Sequence, residues 1–117
     1  MTDDLKTAQA LASDYIIDHS KSPDGYEKYK SWDSGLHVVF LSQLNTEFGK
    51  MTTDIMKKID DDYNVTQTSD PEVKERWFPL GIKLNYTAVT PVAKTFVQNI
   101  GRWKYVKPIY QALLDSN

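Results

Sequence analysis

No cysteine occurs anywhere in the 117 residues. That excludes disulfide frameworks and thiolate metal sites, and it fits a reducing compartment such as the cytoplasm. No apolar run approaches the roughly 18 residues needed to cross a bilayer as a helix. The acidic start, MTDDLKTAQ, has no basic-then-apolar signal pattern. A cytoplasmic location with no membrane partner is the expectation. Histidine is scarce: His19 and His37 stand eighteen residues apart. The H-E-x-x-H pair that puts two imidazoles one helical turn apart on zinc is therefore missing. His19 is expected to decorate the end of a helix and His37 to sit at a helix boundary, with no metal held in this chain. There is no G-x-x-x-x-G-K-[ST] phosphate loop, no G-x-G-x-x-G fingerprint and no G-x-S-x-G elbow. The run Asp60–Asp61–Asp62 lacks the alternating ligands, central glycine and closing glutamate of an EF-hand loop. Its ordinary reading is a solvated helix end. Taken alone, the chain has no catalytic residues to offer.

Charge of one sign is also in short supply. The net charge is −2. Residues 1–70 are acidic on balance, with 13 acidic and 7 basic side chains, and residues 71–117 are basic, with 7 against 3. So mild a basic bias argues against a nucleic-acid partner but leaves room for a local anionic ligand.

What is present is helical periodicity. Leu5, Ala8, Leu11, Ala12, Tyr15 and Ile16 recur at steps of three and four, predicting a helix over about residues 3–18. HSKSPDGYEKYKSWD reads as a loop, since Pro23, Asp24 and Gly25 are turn residues. Leu36, Val39, Phe40 and Leu44 restart the stripe behind a cap at Asp33 or Ser34. Ile55, Met56, Ile59 and Tyr63 mark a third helix, with DDDYNVTQTS as a linker. SDPE at 69–72 predicts a capping box, with Ser69 at the N-cap and Glu72 reaching back to it. Val73, Trp77, Leu80 and Leu84 follow, with a kink or early break expected at Pro79. After a short connection at Asn85 and Tyr86 comes the cleanest pattern: Val89, Val92, Ala93, Phe96, Val97 and Ile100. Gly101 ends that helix, and Pro108 is expected to open a last one through Ile109, Leu113 and Leu114. No window alternates apolar and polar residues long enough for a sheet. The fold class is all-α, with about six mostly antiparallel helices in sequential contact. At 117 residues the chain fits a single domain, residues 1–117.

One stretch carries more than packing. In GRWKYVKP, Arg102 and Lys104 alternate with Trp103 and Tyr105 between Gly101 and Pro108. With the preceding residues it resembles a known family. ERWFPLGIKLNYTAVTPVAKTFVQNIGRWKYVKPIYQALL is similar to the C-terminal helical domain of the leukotriene A(4) hydrolase and aminopeptidase B group of zinc aminopeptidases, peptidase family M1. The matching positions are Arg76–Trp77, Leu80, Ile82, Tyr86, Pro91, Gly101, Arg102, Lys104, Tyr105 and Pro108. LKTAQALASDYI and YEKYKSWDSGLHVVFLSQL resemble earlier helices of that domain more loosely. Pro79 departs from the family pattern, which continues an unbroken helix there. Relatives also run on for roughly another helix pair beyond Asn117, so the resemblance implies a fragment truncated at its C-terminal end.

The resemblance implies an α-α superhelix of the armadillo or HEAT kind, walling one side of the active-site cleft of a larger aminopeptidase. The zinc motif would lie in the absent catalytic domain, leaving this chain without a cofactor of its own and inactive alone. Its partners would be the catalytic and N-terminal domains of the parent enzyme and the peptide substrate. A G-R-x-K element in that family receives the substrate carboxylate, and the corresponding residues here are Arg102 and Lys104. A planar guanidinium with a second cation beside it suits a carboxylate. In an extended segment after Gly101, residues two apart would point the same way and converge; on a continuous helix they would not. The alternative function is a stand-alone HEAT-like interaction module without peptidase activity.

Overall fold

In the computed structural model residues 2–99 and 103–115 are described, with side chains described at 4–96, 107–109 and 111–115. Among them there is no strand. Seven α-helices follow in order: α1 (Thr2–Ile17), α2 (Lys28–Ser31), α3 (Ser34–Thr46), α4 (Thr53–Tyr63), α5 (Pro71–Lys83), α6 (Thr90–Asn99) and α7 (Trp103–Asp115). The helix beyond the expected six is α2, a single turn inside the predicted loop between α1 and α3.

Each helix forms because its apolar stripe finds a partner. The stripe of α1 buries Ala8, Leu11, Ala12 and Tyr15. Phe40, Leu41 and Leu44 of α3 and Ile55, Met56 and Ile59 of α4 join them, and α5 adds Val73, Trp77, Phe78, Leu80 and Ile82. Ala93 and Phe96 of α6 and Ile109 and Ala112 of α7 complete the core. Burial of each large side chain stabilises the fold by about 1.5–3 kcal/mol. The strongest packing joins alternate helices, α1 with α3, α3 with α5, and α5 with α7. Helix α4 touches α1, while α6 touches α5 and α7. Because α2 is a single turn, α1 and α3 are the first two long helices and pack in sequence as expected, while α3–α5 and α5–α7 skip a helix. A stacked row of alternate helices is how an α-α superhelix builds one of its layers.

The caps refine the boundaries. Asp33 Oδ1 accepts the Leu36 N–H at 3.0 Å, and Thr52 Oγ1 accepts the Ile55 N–H at 3.3 Å. At α5 the cap is Asp70, not Ser69; its Oδ1 accepts the Glu72 N–H at 2.9 Å. The reason is Pro71. A residue directly before proline is kept out of the helical region, and Asp70 is extended at φ −84°, ψ 114°. The Glu72 carboxylate pairs with Arg76 at 3.2 Å.

Neither proline sets a helix boundary. Helix α5 runs unbroken through Pro79, and α7 begins at Trp103 with Pro108 inside it. A proline within a helix forfeits one hydrogen bond and costs about 3 kcal/mol. The burial of Trp77, Phe78, Leu80 and Ile82 around Pro79 outweighs that cost, and Ile109 and Ala112 hold α7 down beyond Pro108. Helix α5 ends at Lys83 with Leu84 as its C-cap, and the next residue, Asn85, takes the left-handed conformation at φ 64°. The Tyr86 N–H then bonds the Gly81 carbonyl at 2.8 Å and the Asn85 N–H the Ile82 carbonyl at 3.1 Å.

Candidate functional site

The candidate element GRWK lies at the junction of α6 and α7. Three contacts set the register of α6 against α5. A Cβ on Gly81 would come within 2.8 Å of Val89 Cγ2. The Phe78 and Phe96 rings meet edge to face with centroids 6.2 Å apart, and Lys74 Nζ lies 4.7 Å from the Phe96 ring centroid. As the α5 position falls from 81 to 74 the partner rises from Val89, immediately before α6, to Phe96 within it, so the two helices run antiparallel, as the short connection predicts. The last turn of α6, ending at Asn99, therefore stands beside the first turn of α5.

Gly101 and Arg102 lie outside the described residues, and so do the side chains of Val97, Ile100, Trp103, Lys104 and Tyr105. The backbone from Trp103 onward is helical, so Lys104 belongs to the first turn of α7. An extended segment through Lys104 is thereby corrected, and parallel projection of Arg102 and Lys104 along it no longer supports their pairing. The start of a helix offers a different attraction for an anion. Its first N–H groups have no intrahelical acceptor, and the peptide dipoles place partial positive charge there.

Two polar clusters tie the helices together elsewhere in the fold, and sequence spacing alone does not reveal either. Asp60 Oδ1 accepts the Thr66 N–H at 2.9 Å, and its Oδ2 accepts Thr66 Oγ1–H and Tyr86 Oη–H, each at 2.6 Å. Trp77 Nε1–H donates to Thr66 Oγ1 at 3.0 Å. One carboxylate thus ties α4 to the turn before α5, to the buried Trp77 of α5 and to the α5–α6 connection. Desolvation, and then the hydrogen bond to Asp60, push the Tyr86 phenol far above its ordinary range, so it stays a neutral donor.

The second cluster gathers on Asp62. Tyr15 Oη and Ser22 Oγ lie 2.6 and 2.9 Å from its Oδ2, and Lys58 Nζ lies 3.2 Å from its Oδ1. Tyr63 Oη–H donates to the Tyr26 carbonyl at 2.8 Å and sits 2.9 Å from Tyr15 Oη. Tyr15 has a single proton, and the ionised carboxylate is the stronger acceptor for it. Burial first, and Asp62 second, drive the Tyr15 pKa well above the phenol range. The expected solvated helix end is therefore true of Asp61 alone, which is exposed and pairs with Lys57 at 3.0 Å.

The histidines take structural places. His37 is half-buried, stacked on Tyr29 with ring centroids 4.1 Å apart, and its Nε2 lies 2.7 Å from the Tyr29 carbonyl oxygen. His19 is exposed just beyond α1. Among the described residues no three His, Asp or Glu side chains gather closely enough to hold a metal ion. The zinc implied by the resemblance does not fit them, and no step through a metal is assigned to this chain. No helix among the described residues is long and apolar enough to cross a membrane.

The matches to known proteins follow the same outline. The sequence model described as leukotriene A4 hydrolase, C-terminal, matches residues 32–117. Leucine aminopeptidase 2 of Ajellomyces capsulatus is 34% identical over 82 residues, covering 68% of this chain and 13% of that protein. Leucine aminopeptidase 2 of Yarrowia lipolytica is 29% identical over 89 residues, 71% of this chain and 14% of the relative. A leukotriene A-4 hydrolase homolog of Botryotinia fuckeliana is 26% identical over 97 residues, 83% of this chain and 15% of the relative. The chain thus spans between 13% and 15% of the length of these three relatives. No solved structure matches it. With a match reaching from Trp32 to the last residue, and with the GRWK element and the helices that carry it inside that match, this chain belongs to the leukotriene A4 hydrolase C-terminal family.

Proposed function

We propose that residues 1–117 serve as the non-catalytic helical C-terminal domain of a cytoplasmic zinc aminopeptidase. In this reading the domain walls one side of the active-site cleft, and Arg102 and Lys104 receive the carboxylate of the peptide substrate. The zinc and the hydrolytic residues belong to the catalytic domain against which this one would pack. The observation that carries the reading is that the family match takes in the whole GRWK sequence, with Trp103 and Lys104 in the first turn of α7. A helix N-terminus favours a carboxylate through its dipole and free N–H groups, and a guanidinium or ammonium from the same short motif would act in the same direction. Holding the far end of a peptide aligns its scissile bond, which raises kcat as well as lowering KM.

Replacing Arg102 tests this in the aminopeptidase that carries the domain. Arg102→Ala is expected to lower kcat/KM about 100-fold for tripeptides with a free carboxylate. It should do much less to a C-terminally amidated or chromogenic substrate. Equal losses on both kinds of substrate would remove the carboxylate role.

A further inference from the structure

We propose that residues 19–32, a strap between α1 and α3, open and close as a unit while the other helices stay folded, with Asp62 and Tyr63 of α4 as its catch. The strap carries α2 and precedes the family match except at its last residue, where that match begins. Among the described residues no backbone–backbone hydrogen bond joins it to another helix. The bonds it makes close short turns within it. The Tyr26 N–H reaches the Pro23 carbonyl at 3.1 Å, the Lys28 N–H that of Gly25 at 3.0 Å, and the Trp32 N–H that of Tyr29 at 3.2 Å. Lifting the strap therefore breaks no ladder, and its turns survive the movement.

A small set of side chains holds it down. Ser22 Oγ–H donates to Asp62 Oδ2 at 2.9 Å, and the Tyr26 carbonyl accepts Tyr63 Oη–H at 2.8 Å. The Tyr29 ring is stacked on both Tyr63 and His37, with centroids 4.1 Å apart in each case. Only Pro23 and Tyr29 of the strap are buried. On its α1 side runs an open cleft, about 240 Å³ toward Ile17 and Asp18 and about 150 Å³ toward Thr7 and Ala10, with Asp14 and Asp24 lining both parts. Few buried contacts and no backbone tie to a neighbour are the marks of a segment that opens below the cost of global unfolding. Release of the catch withdraws Tyr29 and uncovers an aromatic face made by Tyr63, His37 and Phe40, whose ring meets Tyr29 edge to face.

The test is native-state hydrogen exchange of the 117-residue chain, followed by NMR in urea below its unfolding transition. The Tyr26, Lys28, Tyr29 and Trp32 amides are expected to exchange about 100-fold faster than those of Phe78 and Leu80 in α5. Their rates should also depend little on urea, because a local opening exposes little surface. Asp62→Asn replaces a charged acceptor by a neutral one and is expected to speed the strap amides about tenfold. Val73→Ala, in the buried stripe of α5, should speed the α5 amides and leave those of the strap within about twofold. Strap amides that share the rate and urea dependence of α5, or that follow it in Val73→Ala, would show that the strap opens only with the whole fold and overturn the proposal. An unchanged strap in a folded Asp62→Asn variant would remove the catch. Should that variant not fold, the parent chain and Val73→Ala still decide the matter.

Discussion

Three consecutive aspartates show how far single residues can be read. Asp60, Asp61 and Asp62 look alike as a run, yet helical spacing separates them. Asp60 follows Met56 by four and Asp62 follows Ile59 by three, so both continue the buried stripe; Asp61 follows Lys57 by four and faces out. The signal was present and was overridden by the habit of treating a charge run as solvent-facing. What spacing could not reveal was the set of partners, because Thr66, Tyr86, Tyr15 and Ser22 reach these carboxylates across the fold. Asp60→Ala deprives three donors of their acceptor in a half-buried setting and is expected to cost about 2–4 kcal/mol. Asp61→Ala loses only an exposed ion pair and should stay within about 0.5 kcal/mol. Urea unfolding of the two variants measures both, and similar losses would contradict the division.

Elements were legible where an apolar stripe met a local stop signal. The stripes of α1 and α3 are buried at Ala8, Leu11, Ala12 and Tyr15 and at Phe40 and Leu44, and Asp33 caps α3 as expected. The errors cluster at proline. Local chemistry predicts a kink or break at Pro79 and a helix start at Pro108, and tertiary burial carries the helix through both. Pro71 also moved the α5 cap by one residue. The antiparallel α5–α6 pair depends on a close approach at Gly81, where an added Cβ would lie 2.8 Å from Val89 Cγ2 and 3.3 Å from Met56 Cε. In an exposed helix Gly→Ala would help by roughly 0.5–1 kcal/mol. Here Gly81→Ala is expected to destabilise by about 1–3 kcal/mol through overpacking. Val89→Ala in the same chain should recover part of that loss, the mark of two residues competing for one space. Additive losses in urea unfolding would show that the α5–α6 approach is looser than the structure has it.

For the whole molecule, periodicity supplied the helical class but not the way the helices stack. Contact between alternate helices depends on the paths of the connections, which local patterns do not encode. The family resemblance supplied that arrangement, and the packing of α1, α3, α5 and α7 agrees with it. The candidate pair, Arg102 with Lys104, stands out in the sequence as a short motif, and the backbone from Trp103 onward is helical where an extended segment was expected. The central claim is that these helices work as one part of a larger aminopeptidase, and its most direct test is the mass of the protein that carries them. An immunoblot of source-cell lysate with an antibody raised against this chain is expected to show one band several times heavier than 13.4 kDa. A single band at 13.4 kDa would mean that the domain works alone, and would contradict the account.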